Sequence, residues 1–223
     1  MNGTRPDVVV LVVGTGTEVG KTWVSARLLE AWRDSGLTVA ARKPVQSFEP
    51  GQGPTDADIL AAASGEEPTA ICASHRWYEA AMAPPMAADL LGLPSFTVAE
   101  LVRELAWPPG STDVGLVESA GGVRSPLADD GDGVDLLRIL APDAVILVAD
   151  AGLGTINGVR LAIDALGGIG SGLRPVVYLN RFDPEDELHR RNRDWLSARD
   201  GSDVVVGSEG GLDDLAHRLG LPH

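Results

Sequence analysis

The stretch Val8-Val9-Val10-Leu11-Val12-Val13-Gly14-Thr15-Gly16-Thr17-Glu18-Val19-Gly20-Lys21-Thr22 sets an unbroken aliphatic run against a glycine-rich turn, and a helical pattern begins at Lys21. Strand, loop and helix in that order build an anion site. Glycines let the backbone turn its N–H groups toward a phosphate, and the N-terminus of the following helix adds its dipole. Lys21 is placed to neutralise β/γ-phosphate charge, and the Thr22 hydroxyl to coordinate Mg²⁺. The usual pattern has a glycine where this chain has Thr15, with Gly14 and Gly16 on either side. The Lys-Thr pair belongs to triphosphate chemistry and no G-x-G-x-x-G is present, so a dinucleotide fold is disfavoured.

Working outward, short aliphatic runs recur at Val39 to Lys43, Val114 to Val117, Val145 to Val148, Val176 to Leu179 and Val204 to Val206, with helical patterns between them. The runs are nearly continuously apolar, the mark of strands covered on both faces. They predict a three-layer α/β P-loop NTPase fold, a mostly parallel central sheet flanked by helices, as one domain over residues 1–223. Thr97-Val98-Ala99-Glu100 matches a capping box, and Asp183-Pro184-Glu185-Asp186-Glu187 reads as a cap, an N1 proline and acids at a helix start. The least regular stretch runs from Gly51 to Pro94. Loops of that length usually line a site.

Composition narrows the partners. With 18 Lys+Arg against 32 Asp+Glu, the net charge of -14 repels a nucleic acid unless cations cluster on one face. The nearest cluster, Arg190, Arg191 and Arg193, reads as the solvated face of a helix. No apolar run approaches the ~20 residues that span a bilayer, so neither membrane nor nucleic acid is expected as a partner, and the expected location is cytoplasmic. Cys72 is the lone cysteine and His75, His189, His217 and His223 lack ligand spacing, which leaves no thiolate or imidazole metal centre.

Further candidates stand at strand ends, where ligands bind in doubly wound sheets. Glu118 closes the Val114 run and can complete an Mg²⁺ shell, with Asp150, at the end of another strand, as its rival. Lys43 leaves its strand either toward the same crevice, to hold an anionic intermediate, or as a surface lysine. Asp56 and Asp58 supply a metal ligand or cap the next helix, with the cap slightly preferred. Asp129-Asp130-Gly131-Asp132-Gly133 lacks the twelfth-position Glu of a Ca²⁺ loop and reads as a solvated turn.

The phosphate loop, Lys43-Pro44-Val45, Glu118-Ser119-Ala120-Gly121-Gly122 and Gly152-Leu153-Gly154-Thr155-Ile156-Asn157 occur in an order and spacing that resemble the dethiobiotin synthetases over roughly residues 8 to 182. The resemblance implies closure of the ureido ring of dethiobiotin from 7,8-diaminopelargonic acid, CO₂ and ATP, with Mg²⁺. It implies that Thr17, Glu18, Val19, Gly20, Lys21 and Thr22 hold the nucleotide, with Thr17 and Glu18 on the diamine and phosphate side, and that Asn180 reads the adenine edge. Thr22, Asp56 and Glu118 would form the metal shell. Lys43 would hold the carbamate and the transferring phosphoryl group, with Ser47 as a hydrogen-bonding neighbour, so that Lys21, Lys43 and Thr17 carry the chemistry. Thr155, Ile156 and Asn157 would receive the substrate carboxylate across a homodimer. The chain departs from the family pattern at Ser119, at Pro85 and at Gly158, where the family usually has Gly, His and His. Two rival readings, a cobyric-acid-synthase-like carboxylate-activating synthetase and a partitioning ATPase switch, are disfavoured by the missing glutaminase domain and the missing early P-loop lysine.

Overall fold

The computed structural model describes residues 3–167, 173–207, 210–219 and 221, so His223 lies outside it. In chain order the strands are β1 (Val8–Gly14), β2 (Val39–Arg42), β3 (Gln46–Ser47), β4 (Trp77–Tyr78), β5 (Val114–Glu118), β6 (Pro126–Ala128), β7 (Gly131–Asp132), β8 (Ala144–Asp150), β9 (Val176–Asn180) and β10 (Val204–Val206). The α-helices are α1 (Lys21–Asp34), α2 (Asp56–Ser64), α3 (Pro68–Ile71), α4 (Pro84–Leu90), α5 (Val98–Glu104), α6 (Gly133–Leu140), α7 (Thr155–Gly167), α8 (Glu187–Asp194) and α9 (Gly211–Arg218). Six strands form one sheet in the order β10-β9-β8-β1-β5-β2, and every pairing in it is parallel. These are the six aliphatic runs of the sequence.

Side-chain alternation splits the core between the two faces of this sheet. Val9, Leu11 and Val13 of β1 pack with Leu101, Leu137 and Val159 from α5, α6 and α7. Val10 and Val12 pack with Leu28, Trp32 and Leu60 from α1 and α2 and with Leu215 from α9. Both faces are covered by buried apolar side chains, which is why the strands could be apolar throughout. Burying each of these aliphatic side chains contributes about 1.5–3 kcal/mol before entropy is counted.

Parallel pairing places the carboxyl ends of β2, β5 and β1 side by side, so the phosphate loop, Glu118 and the residue after Arg42 meet at one edge of the sheet. Strand β2 is an outer strand, and groups along its outward side are engaged. The Ala41 N–H donates to Glu66 Oε2 at 2.8 Å, the Lys43 N–H to the Ile71 carbonyl at 2.8 Å, and Arg42 Nε to the Ala106 carbonyl at 2.6 Å.

Several local expectations change. The segment from Gly51 to Pro94 holds α2, α3 and α4, started by the Thr55 cap and by Pro68 and Pro84 at helix N-termini. Helix α8 begins at Glu187 rather than at Pro184, because Asp186 Oδ1 accepts from Leu188 N and His189 N while Asp183 only closes the preceding turn. Helix α7 starts at Thr155, directly after the two glycines of its turn. The Thr97–Glu100 capping box forms as read. Of the acidic turn, Asp132 caps α6, and Asp129 and Asp130 accept from the Phe96 and Val98 N–H groups.

Candidate active site

The phosphate loop bends around Gly20, whose φ of 97° and contact with Asn180 leave no room for a side chain: an added Cβ would fall 2.0 Å from Asn180 Nδ2. Two consecutive loop carbonyls are tied down from the end of β9. Asn180 Nδ2 donates to the Val19 carbonyl at 3.0 Å and Arg181 Nη2 to the Glu18 carbonyl at 2.8 Å. Holding these oxygens fixes the peptide planes of the loop. Glu18 and Arg181 both adopt left-handed backbone, with φ of 60° and 55°, an arrangement that surrounding structure must impose on such side chains.

Beyond the loop, donors converge. Thr22 Oγ1 lies 2.8 Å from Asp56 Oδ1 and 2.9 Å from Glu118 Oε1, and Lys43 Nζ lies 2.7 Å from Asp56 Oδ2 and 2.7 Å from Glu118 Oε1. A hydroxyl has one proton for two carboxylates, so the negative charge there is balanced chiefly by the ammonium. Ser25, one turn after Thr22 on α1, donates to Glu118 Oε2 at 2.7 Å. Of the two acids at the start of α2, Asp58 closes a capping box with Thr55, which frees Asp56 for the site. Asp150 is elsewhere: it pairs with Arg181 at 2.9 Å and accepts from Gly152 N at 2.9 Å.

The chain contains two lysines, and both are here, their ammonium groups under opposite influences. Burial, and then the neighbouring Lys43 charge, pull the Lys21 pKa down to about 8 against the opposing effect of Glu118 and Asp56. Burial also disfavours charge on Lys43, but the Asp56 and Glu118 carboxylates outweigh it and raise its pKa above the ordinary lysine value. The Lys43 ammonium in turn holds Asp56 below the usual carboxylate range. Lys21 Nζ donates to the Gly16 carbonyl at 3.0 Å and is poised over the loop. If ATP needs the Lys21 ammonium, its affinity should fall by roughly tenfold per unit above about pH 8 in the free protein. Calorimetry from pH 7 to 9.5 checks this, with Lys21→Ala giving a flat profile. The sign for folding is opposite. Between about 8 and the ordinary value of 10.5 the unfolded chain binds the extra proton, so Lys21 makes stability rise with pH in that window.

A cleft of about 880 Å³ opens over these groups, lined by Thr17, Glu18, Gly20, Lys21, Thr22, Lys43, Ser47, Asp56 and Arg181, with Trp23, Phe48, Met82 and Pro84 as apolar wall. Ser47 Oγ donates to the Met82 carbonyl at 2.5 Å. Thr155, Ile156 and Asn157 do not line this cleft; they begin α7, with Thr155 buried and Asn157 exposed. Sequence reasoning missed Ser25, though its place three residues after Thr22 on one helix face signals it, and Arg181, whose backbone state carries no sequence signal.

Ser119 is wholly buried and its hydroxyl has no partner, while its carbonyl accepts from Lys43 Nζ at 3.3 Å. A buried unpaired hydroxyl costs about 1–3 kcal/mol. Ser119→Ala is therefore expected to raise the melting temperature by a few degrees. A lower melting temperature would show that the hydroxyl is satisfied by a bound water.

A family model described as an AAA domain matches residues 9–213. The chain is 39% identical over 209 residues to an ATP-dependent dethiobiotin synthetase BioD of Rhodococcus jostii, covering 93% of this chain and 89% of the relative. It is 39% identical to that of Caulobacter vibrioides, covering 79% and 82%, and 36% identical to that of Haloferax mediterranei, covering 87% and 81%. In structure it resembles chloroplast FtsY from Physcomitrella patens, with a TM-score of 0.53 at 19% identity, over 95% of this chain and 61% of that one. That likeness concerns the fold alone, that of P-loop NTPases. Identity of 36% or more to these enzymes over most of the chain places it in the family of ATP-dependent dethiobiotin synthetases.

Proposed function

We propose that this protein closes the ureido ring of dethiobiotin from 7,8-diaminopelargonic acid, CO₂ and ATP, releasing ADP and phosphate, as a cytoplasmic enzyme of biotin biosynthesis. The observation that carries the reading is the meeting of Lys21, Thr22, Lys43 and Asp56 in one cleft, with the buried Glu118 bonded to Thr22 and Lys43 at its base. Mg²⁺ fits the donors: Thr22 Oγ1, Asp56 Oδ1 and Glu118 Oε1 are hard oxygens set around one point, where Lys43 already supplies positive charge. When bound, the metal neutralises charge on the β- and γ-phosphates.

Each residue has a task in this scheme. The N–H groups from Thr17 to Gly20 cradle the phosphates, and the Lys21 ammonium balances them. Asn180 faces the adenine. One substrate amine adds to CO₂ to give a carbamate, and its oxygen takes the γ-phosphoryl group. The second amine then attacks the carbamate carbon, the C–O bond to phosphate breaks, and the ring closes. Lys43, with Ser47 beside it, holds the carbamate and the passing phosphoryl group; catalysis is positioning and charge neutralisation. Thr17 and Glu18 border the diamine.

The α7 N-terminus, with Thr155, Ile156 and Asn157, is assigned to the substrate carboxylate of a neighbouring subunit in a homodimer. Its placement outside this chain's own cleft supports that, as do Leu153 and Leu161, exposed at 93% and 62% on the same segment. Light scattering should give twice the chain mass at micromolar concentration. A fully active monomer would end the shared-site reading. The reaction itself is tested by incubating purified protein with the diamine, ¹³C-bicarbonate, Mg²⁺ and ATP. Dethiobiotin one mass unit heavy is the expected product, and phosphate release indifferent to the diamine would overturn the assignment.

A further inference from the structure

The structure assigns Ser25 as a positioning residue for Glu118: its hydroxyl pins one carboxylate oxygen so that the other is presented to Thr22, Asp56 and the incoming cation. The two oxygens of Glu118 have separate partners. Oε2 receives the Ser25 hydroxyl at 2.7 Å, whereas Oε1 lies 2.9 Å from Thr22 Oγ1 and 2.7 Å from Lys43 Nζ. Among the described residues no other donor is found for Oε2.

Nothing local to α1 asks for serine at this position. Serine is a mediocre helix former, and inside a helix it ordinarily bonds back to its own backbone or faces solvent. Ser25 does neither: it is wholly buried and donates across to the end of β5. The terminal torsion of a glutamate is broad and nearly two-fold, so a carboxylate held at one oxygen alone can turn its plane. With Ser25 on Oε2 and Thr22 one turn earlier on Oε1, α1 grips both oxygens. Groups that orient a metal-binding carboxylate in this way set metal affinity without touching the metal.

The inference rests on the reading of Glu118 as a metal ligand, and the test separates the two. Mn²⁺ binding in the presence of ADP is measured by electron paramagnetic resonance for the wild type, Ser25→Ala, Ser25→Cys, Glu118→Gln and the Ser25→Ala/Glu118→Gln double variant. Ser25→Ala should weaken Mn²⁺ about tenfold, and Ser25→Cys, a poorer donor of similar shape, should fall between it and the wild type. In the Glu118→Gln background Ser25→Ala should cost nothing further. Wild-type affinity in both Ser25 variants, with Glu118→Gln impaired, would overturn the positioning role alone. An equal loss from Ser25→Ala in both backgrounds would also overturn it, because the serine would then act by some other route. Undiminished binding in Glu118→Gln would remove the metal reading and this inference together. Should Ser25→Ala fail to fold, Ser25→Cys decides the same question.

Discussion

Lys43→Ala is expected to lose both activity and stability, and to bind divalent metal more tightly than the wild type. Its ammonium is buried 2.7 Å from two carboxylates, and Glu118 is fully buried. Removing one partner of such a pair costs about 3–5 kcal/mol, because the remaining charge is left desolvated. Asp56, 41% exposed, keeps some solvent screening, so the lower end of that range applies. For a chain of this length that amounts to a fall in melting temperature of roughly 6–12 °C. The same substitution clears a competing cation from between Asp56 and Glu118, so millimolar Mg²⁺ should restore much of the lost stability. Turnover should stay down by about 10²–10³-fold, the usual loss when a preorganised charge at the transferring group is removed. Melting curves with and without Mg²⁺, set beside diamine-dependent phosphate release, check all three. A variant that melts like the wild type and ignores Mg²⁺ would mean that Lys43 does not share its place with the metal.

Glu118→Gln should raise the Mg²⁺ requirement by more than tenfold and lower the maximal rate, while Asp150→Asn should leave the Mg²⁺ curve where it is. The volumes match, but glutamine loses the charge that pairs with Lys43, and its N–H₂ either faces the Lys43 ammonium, a donor, or forces the Thr22 or Ser25 hydroxyl to turn and accept. A mismatched or lost hydrogen bond in a buried site costs about 1–3 kcal/mol, so the variant should also melt lower. Asp150 sits across β1 from this cluster and is engaged with Arg181 and Gly152 N. Activity titrated against Mg²⁺ distinguishes the two. A shift in the Asp150→Asn curve alone would move the metal to the other strand.

The sheet was readable because six runs buried on both faces have to be apolar throughout, and the loop because Gly-Lys-Thr after a strand has a single mechanical meaning. Asp56 and Asp58 were harder. Both stand in the first turn of one helix, where either can cap, and only the reach of the Asp58 side chain back to Thr55 decides the division. Lys43 was undecided for a related reason: a lysine just past a strand goes to solvent or to the cleft according to what opposes it, and Glu118 lies 75 residues away. One compositional signal passed unread. A chain that has only two lysines beside its arginines places both in one cleft, where a compact ammonium would suit a phosphoryl group and an arginine fork would demand more room. The left-handed backbone at Glu18 and Arg181 follows from tertiary contacts that no local pattern encodes, whereas the start of α8 turned on which of two nearby aspartates caps it.

The occupied rim of β2 bears on how the molecule behaves when crowded. An all-parallel sheet built from near-continuous valine, leucine and isoleucine is a template for recruiting further strands, and an open outer strand is where fibrils and disordered aggregates begin. Here the Glu66 carboxylate takes the Ala41 N–H that a foreign strand would need, Ile71 takes the next, and the opposite rim is only the three residues Val204–Val206. Recruitment of a second sheet is thus opposed by hydrogen bonds on one side and by brevity on the other.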